Sequence, residues 1–93
     1  MNKPAETIVT KSEHTVYRIV DSEAVIVEPQ NGLVNVVNEV GSRIWELVDG
    51  KRSAAQIADI ISSEYEISPK TALQDTSEFL NEMAANGLVK LAN

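Results

Sequence analysis

The fold is decided by residues 28–38, which read EPQNGLVNVVN. The first part, Pro29-Gln30-Asn31-Gly32, is a turn sequence, because proline presets φ and Asn-Gly tolerates the positive φ of a tight hairpin. The run from Leu33 to Val37 is rich in β-branched residues and predicts a strand. Asn38, which comes next, is a favoured helix N-cap. This stretch therefore predicts the point at which strands give way to helices.

Two further strands are predicted before this stretch. The runs Thr15-Val16-Tyr17-Arg18-Ile19-Val20 and Ala24-Val25-Ile26-Val27-Glu28 are rich in β-branched and aromatic residues. Asp21-Ser22-Glu23 between them is a polar break of hairpin length. Three strands joined in this way predict an antiparallel meander, whose last strand can lie at an edge with unpaired N–H and C=O groups facing out.

The N-terminal segment has a different texture. Residues 1–13 are polar and include Pro4, which favours a flexible N-terminal arm. Within them, Thr7-Ile8-Val9-Thr10 is also compatible with a short edge strand. The remaining residues, 14–93, contain no linker or internal repeat, and a chain of 93 residues is expected to form a single domain.

Three helices are predicted after Val37, because each expected start carries a capping signal. Asn38 caps the first helix, and Ser53 caps the second in a capping box with Gln56. Ser68 caps the third, with Pro69 in its first turn, where a missing N–H costs nothing.

The predicted helix ends complete the fold class. Gly50 is expected to end the first helix as its C′ residue, and Asn86-Gly87 to end the third before a short extended tail. The order of elements predicts an α+β fold that is winged helix-turn-helix-like, a three-stranded antiparallel meander followed by three helices.

Composition excludes several classes of function. The chain has no Cys and one His, which removes disulfides, thiol chemistry and any two-His metal site, and no cofactor is predicted. Its net charge of −6 argues against nucleic acid as a partner, since DNA binding needs a positive field. No apolar run approaches the length of a membrane span, and the N-terminus has no signal-peptide plan. A cytoplasmic protein that does not bind membranes is expected.

Few residues suggest catalysis. His14 is expected to be exposed or structural, because a general base would need a partner and a pocket. Lys51-Arg52 is a weak phosphate or DNA signal, and a solvated loop is the favoured interpretation. The acidic residues at helical spacings are expected on solvated helix faces. They are Glu39, Glu46, Asp49, Glu64, Glu66, Asp75, Glu78 and Glu82. The chain is therefore predicted not to be an enzyme.

Two features leave alternatives open. Trp45 lies just off the apolar stripe of the first helix, so it either packs on the meander or anchors a protein contact. The third helix has an apolar face wider than one core stripe needs. A second, mixed stripe lies beside the core stripe and is either covered by the strands or faces a groove next to an edge strand. This second stripe consists of Leu73, Ser77, Leu80, Asn81 and Ala84.

Several segments together resemble the PqqD family. They are Glu28-Pro29, Val37-Asn38, Ile44-Trp45-Glu46-Leu47-Val48-Asp49-Gly50, Ser53 through Ile57, Asp75, Phe79-Leu80 and Asn86-Gly87-Leu88-Val89. The resemblance covers roughly residues 14–91 and rests on the ordered set, since a helix that ends in Asp-Gly is common. Val48 stands where many relatives carry Cys.

The resemblance implies a function. The family's founding member takes part in pyrroloquinoline quinone biosynthesis and resembles the recognition elements of ribosomally made, modified peptides. Such modules bind a precursor's leader by strand addition and present it to a modifying enzyme, often a radical SAM protein. The resemblance implies a non-catalytic peptide chaperone. We expect Asp75 on the third helix to be a partner for a Lys or Arg of the peptide. The expected peptide-binding residues are Leu33, Val34, Asn35, Val36, Val37, Leu73, Asp75, Ser77, Leu80, Asn81 and Ala84.

The rival interpretation is a winged-helix DNA-binding transcriptional regulator, which would place one helix in the major groove. Its reading helix, the third, carries Asp75, Glu78 and Glu82 and only Lys70 as a basic residue. Phosphates would repel that surface, which disfavours the rival.

Overall fold

A computed structural model describes residues 7–28, 30 and 32–92 of the chain. Within them the chain forms three helices, a two-stranded sheet of β1 and β5, and a three-stranded sheet in the order β2-β3-β4. The elements are β1 (Ile8–Lys11), β2 (Val16–Val20), β3 (Glu23–Glu28), β4 (Leu33–Val37), α1 (Glu39–Leu47), α2 (Ala54–Tyr65), α3 (Pro69–Ala85) and β5 (Val89–Ala92). The predicted α+β class and the meander are confirmed.

The meander consists of β2, β3 and β4, and tight turns connect its strands. Val20 pairs with Glu23, so the first turn contains only Asp21 and Ser22 and is one residue shorter than the predicted break. In the second turn Gly32 has a φ of +66°, and its N–H donates to the carbonyl oxygen of Glu28 at 3.0 Å. Pro29 and Asn31 of the predicted turn lie outside the described residues.

All three predicted helix starts are confirmed. The Asn38 side chain accepts a hydrogen bond from the Gly41 N–H at 2.9 Å. Ser53 and Gln56 form the reciprocal capping box, which satisfies two N–H groups that a helix start leaves unpaired. Ser68 caps α3, whose first turn contains a proline as predicted.

The predicted end of α1 is one residue too late, because Asp49 and not Gly50 follows the C-cap. The C-cap is Val48, which already has extended backbone, and Gly50 lies beyond it in a separate turn. Gly50 has a φ of +79°, and its N–H donates to the carbonyl oxygen of Val9 at 2.9 Å. The positive φ of Gly50 thus allows this turn to bond to β1 and does not terminate the helix. The end of α3 at Asn86-Gly87 is confirmed.

The predicted flexible arm is wrong for Ile8–Lys11, which form β1. This strand pairs with β5, and its Val9 side chain is fully buried. On its other side the Val9 N–H donates to the carbonyl oxygen of Arg52 at 3.2 Å. The alternative prediction of a short strand in this segment is confirmed, and the strand is stable because partners distant in sequence bond to both of its sides. Residues 1–6 of the predicted arm lie outside the described residues.

The core lies between the helices and the inner face of the meander. Ile44 of α1, Ile57 of α2 and Leu80 of α3 are buried together with Ile26 of β3. Trp45 is also fully buried, so its interpretation as an exposed anchor is wrong. No helix within the described residues is both long enough and apolar enough to span a bilayer.

Candidate functional site

The strand β4 is an edge of the meander, as predicted. It pairs with β3 on one side, and among the described residues no strand pairs with its other side. An edge of this kind exposes a row of backbone donors and acceptors. This row, called the open edge below, is the first component of the site.

The first turn of the meander determines the direction of every backbone group in the sheet. Asp21 and Ser22 have φ values of 49° and 69°, which are typical of a two-residue type I′ turn. In such a hairpin the flanking residues, Val20 and Glu23, exchange both backbone hydrogen bonds. Since successive residues of a strand point their N–H and C=O groups to opposite sides, Glu23 and every second residue after it bond to β2.

The intervening residues of β3 bond to β4 for the same reason. Ile26 is one of them, and its partner on β4 is Asn35. Asn35 therefore points its backbone groups inward, towards β3. Val34 and Val36, the neighbours of Asn35, point their N–H and C=O groups outward to the open edge.

The side chains of β4 alternate between two faces. Those of Val34 and Val36 point away from the helices and are 62% and 64% exposed. Those of Asn35 and Val37 point inward. The Asn86 side-chain amide donates to Asn35 Oδ1 at 3.2 Å, and Val37 packs against the core. The contact with Asn86 ties the end of α3 to β4.

A small recess of about 240 Å³ lies between the open edge and α3. Its walls come from β4, from the N-cap of α1 and from one face of α3. The residues that line this edge recess are Asn35, Val36, Val37, Asn38, Phe79, Glu82 and Met83. A chain paired with β4 would therefore lie beside a pocket for its inward-pointing side chains.

A larger recess of about 420 Å³ adjoins the first and shares Asn38, Phe79 and Glu82 with it. It lies between α1, the C-terminal end of α2 and α3. The residues that line this acidic recess are Asn38, Val40, Gly41, Ile44, Tyr65, Ile67, Asp75, Glu78, Phe79 and Glu82. Its floor is apolar, and the carboxylates lie on its α3 side.

Phe79 can occupy the junction of the two recesses because Gly41 has no side chain. A Cβ at position 41 would lie 3.0 Å from Phe79 Cε1 and 3.2 Å from Val37 Cβ. Both distances are shorter than ordinary van der Waals contact. The helix α1 therefore approaches α3 and β4 closely, and the Phe79 ring stays half-buried.

The charge around the acidic recess is negative. The pKa of the Tyr65 hydroxyl is raised, first by burial and then by the nearby carboxylates of Glu39 and Glu64. Asp75, Glu78 and Glu82 are exposed, and none of them forms an ion pair with another described residue. Arg43, a nearby cation, binds Glu64 through two hydrogen bonds of 2.8 Å.

The structure brings part of the predicted site together. Asn35, Val36 and Val37 line the edge recess, and Leu33 and Val34 continue the same strand. Asp75 lines the acidic recess and lies on a face of α3 that does not pack into the core.

The other predicted α3 residues do not face β4. Leu80 is only 2% exposed and belongs to the core. Ser77 and Asn81 lie on the far side of α3, around a small pocket that also contains Leu91 of β5. Leu73 and Ala84 are half-buried against the core. The assumed phase of the helix was therefore rotated relative to β4.

Sequence reasoning missed Phe79 and Glu82, which join the two recesses. By spacing along the helix, Phe79 also falls on the core stripe beside Ala72, Thr76 and Met83, which conceals its position between the recesses. A signal was available, because Asp75, Phe79 and Glu82 follow the i, i+4, i+7 pattern of one helix face. The predicted residue Asp75 could thus have indicated the α3 face that lines the two recesses.

The other candidate residues lie outside the two recesses or on exposed helix surfaces. His14 is exposed in a turn, and the acidic residues of the helices are exposed. The Asp49 carboxylate accepts hydrogen bonds from the backbone N–H groups of Lys51 and Arg52, both at 2.9 Å, which lowers the Asp49 pKa. Among the described residues no group of three or more His, Cys, Asp or Glu side chains could hold a metal ion.

The sequence matches the family described as Coenzyme PQQ synthesis protein D (PqqD) over residues 23–89. The chain belongs to the PqqD family. No curated protein matches it. The match begins at β3 and ends at the start of β5, so it includes both recesses and the open edge.

Solved structures of similar proteins have the same fold. One is TbiB1 in complex with the TbiA(beta) leader peptide, which has 31% identity and a TM-score of 0.80 and is covered over 94% of its length by 87% of this chain. Lasso peptide synthetase B1 complexed with the leader peptide has 19% identity and a TM-score of 0.78, with 89% of this chain and 98% of that chain covered.

A third similar structure is the solution NMR structure of the PqqD truncation of Methylobacterium extorquens PqqCD, described as a stand-alone recognition element for ribosomally synthesised and post-translationally modified peptides. It has 17% identity and a TM-score of 0.76, with 97% of this chain and 95% of that chain covered. The PqqD fold is therefore shared along almost the whole chain.

Proposed function

We propose that this PqqD-family protein is a non-catalytic peptide chaperone. It binds the leader of a ribosomally made precursor peptide and presents the precursor to a modifying enzyme. The leader adds as a further strand to the open edge, where it bonds to the outward backbone groups of Val34 and Val36. Its inward side chains enter the edge recess.

The observation that carries this proposal is the combination of an open edge with a recess. In strand addition the backbone hydrogen bonds give affinity, and pockets for alternate side chains give register. Val34 and Val36 supply the first component, and the face of α3 that contains Phe79 supplies the second. Either component alone is common on protein surfaces.

The relatives support the same conclusion. TbiB1, which is 31% identical, was solved with a leader peptide bound, and so was the lasso peptide synthetase B1. We extend this peptide class to the present chain because its open edge and α3 lie within the region that matches the family.

The surface of α3 favours a peptide over DNA. Its exposed residues include Asp75, Glu78 and Glu82, and Lys70 is the basic residue of this helix. A helix in the major groove must approach phosphates, and this charge would repel them. Duplex DNA is therefore not the proposed partner.

The modifying enzyme is proposed from the family resemblance. A radical SAM protein is the proposed type, and the products belong to pyrroloquinoline quinone or related peptide-derived compounds. A co-purification of this chain with a radical SAM enzyme encoded beside its gene tests this partner. Recovery of a different class of modifying enzyme in place of it would contradict the choice.

The central experiment is a chemical-shift titration of the full chain with the leader of a short peptide encoded beside its gene. We expect the largest amide shifts at Val34 and Val36 and at Phe79. Ser77 and Asn81, on the far side of α3, are internal controls that should not shift. Shifts confined to α1 and the Lys51-Arg52 loop would contradict the proposed site.

A further inference from the structure

The acidic recess lies where an added strand would enter or leave the open edge. The strand β4 runs from Leu33 to Val37, and Asn38 at its end lines both recesses. A chain that pairs along β4 therefore passes the acidic recess at the Val37 end and the hairpin turn at the Leu33 end.

The direction of the added strand decides which part of the peptide meets the recess. Every described strand pair in this molecule is antiparallel, and antiparallel pairing is slightly more stable per residue than parallel pairing. In an antiparallel addition the N-terminal part of the pairing segment lies beside Val37. The peptide residues immediately before that segment then lie in the acidic recess.

The recess combines two kinds of surface. Ile44 is buried in its floor, and Val40 and Ile67 are half-buried around it, so the floor fits an apolar side chain. The half-buried Phe79 ring at its mouth offers an aromatic surface to a cation.

The α3 rim of the recess carries negative charge, and no described basic residue forms an ion pair with it. Asp75, Glu78 and Glu82 lie along one side, and among the described residues no basic side chain lines the recess. Arg43 is engaged by Glu64. A groove with one sign of charge attracts ligands of the opposite sign and rejects those of the same sign.

We propose that the acidic recess selects peptides that carry an apolar side chain and a Lys or Arg immediately N-terminal to the segment that pairs with β4. This inference rests on the proposed function and adds to it a charge preference and a polarity. Strand addition alone predicts neither, because backbone hydrogen bonds do not distinguish basic from acidic side chains.

A display library of random peptides tests the inference without a known ligand. The full chain selects binders, and the Val36→Pro variant identifies those that use the open edge, because it removes an outward N–H. A proline scan of each such peptide then locates its pairing segment. We expect Lys and Arg to be enriched over Asp and Glu in the residues before that segment.

A charge reversal provides the matched comparison. Glu82→Lys should weaken the selected peptides about fivefold, the effect of one exposed ion pair. Replacing the peptide's basic residue with Glu should restore binding to this variant. Asp59→Lys, an equal charge change at an exposed position of α2 outside the recess, should have a smaller effect. Circular dichroism establishes that each variant is folded.

The outcomes separate the two proposals. If binders are insensitive to Val36→Pro, strand addition at β4 is wrong and the inference fails with it. If binders depend on Val36 but show no basic enrichment, or show it only after the pairing segment, the proposed function stands and the inference is wrong. Equal effects of Glu82→Lys and Asp59→Lys would also overturn it, because they would indicate general attraction to the net charge.

Discussion

The two edges of the meander, β2 and β4, are alike in the backbone and differ in their surroundings. Both belong to the same sheet, and Ile19 of β2 points its backbone groups outward just as Val36 of β4 does. Both also carry exposed valines on the outer face, such as Val16 and Val34. Within the described residues, outward backbone groups and exposed apolar side chains therefore do not distinguish the proposed binding edge from the other edge.

The difference lies on the inner face. Beside β4 lie two recesses, and the α3 residues Phe79 and Glu82 line both of them. Beside β2, Tyr17 packs edge-on against Trp45, with ring centroids 5.6 Å apart, and Lys11 Nζ lies about 5 Å from both rings. One edge thus has room for the side chains of an added strand, whereas the other has a packed cluster.

The largest expected effect is a loss of folding stability. Leu80 packs α3 into the core, so a substitution there should also disrupt the recesses that distinguish β4 from β2. Leu80→Glu places a carboxylate in the core, and burial of an unpaired charge should cost more than about 4 kcal/mol of the free energy of unfolding. Chemical denaturation measures this loss. Asn81→Glu, at the adjacent exposed position, should change it by less than about 0.5 kcal/mol. A folded Leu80→Glu variant that only lost peptide binding would contradict the core assignment.

The next effect separates the two edges directly. Val36→Pro removes an N–H from the open edge and should weaken leader binding by about tenfold or more, the equivalent of one backbone hydrogen bond and disturbed register. Ile19→Pro makes the same change at β2 and should leave the dissociation constant unaltered. Calorimetric titration of both variants measures the two values. Val36→Thr, which keeps the N–H, is the control, and equal losses at both edges would refute a site at β4.

A smaller effect concerns α3 alone. The Thr76 hydroxyl is fully buried and finds no hydrogen-bond partner within the described part of the chain. Thr76→Val removes this unsatisfied group at nearly constant volume and should raise the free energy of unfolding by about 1 kcal/mol. Peptide affinity should not change, because Thr76 is buried in the core and lines neither recess. Destabilisation by this substitution would mean that the hydroxyl has a partner in solution.

The smallest effect belongs to the packed edge. Burial lowers the pKa of Lys11, although Asp49 and Glu46 oppose the shift. The native state therefore binds this proton less tightly than the unfolded state does, so its contribution to stability increases as pH rises from the lowered pKa to the ordinary value of lysine. Lys11→Met should lack this increase. Denaturation of both proteins at several alkaline pH values measures the difference, and parallel pH profiles would exclude the assigned shift.

The meander and the helix starts could be predicted because their signals are local. Ser53 with Gln56, Pro69 and the turn before Leu33 each fix a boundary within a few residues. The strand β1 could not be recognised as readily, because its stability depends on β5, about eighty residues later in the chain.

The site was predictable only in part for a related reason. A strand's open edge follows from its order in the meander, so the sequence could predict that β4 is an edge strand. The face of α3 that meets β4 depends on the rotation of the helix about its own axis. Leu80 and Asp75 were both predicted to face the peptide, but Leu80 points into the core and Asp75 lines the acidic recess. The contact of Asn86 with Asn35 resolves that rotation, and it joins residues 51 positions apart.

The two-residue turn at Asp21-Ser22 determines which backbone groups of β4 point outward. Their alternation has a consequence for the spacing between the docked segment and the modified residues of the precursor. Because the outward groups of β4 recur at every second residue, a bound leader can move along the edge only in steps of two residues, about 7 Å. A shift of one residue would send every recess-facing side chain to solvent. The number of residues between the docked segment and the modified residues can therefore change only by two at a time when the leader shifts along the edge. A single-residue deletion inside the docked segment should be far more damaging than a deletion of one residue in the tether that follows it.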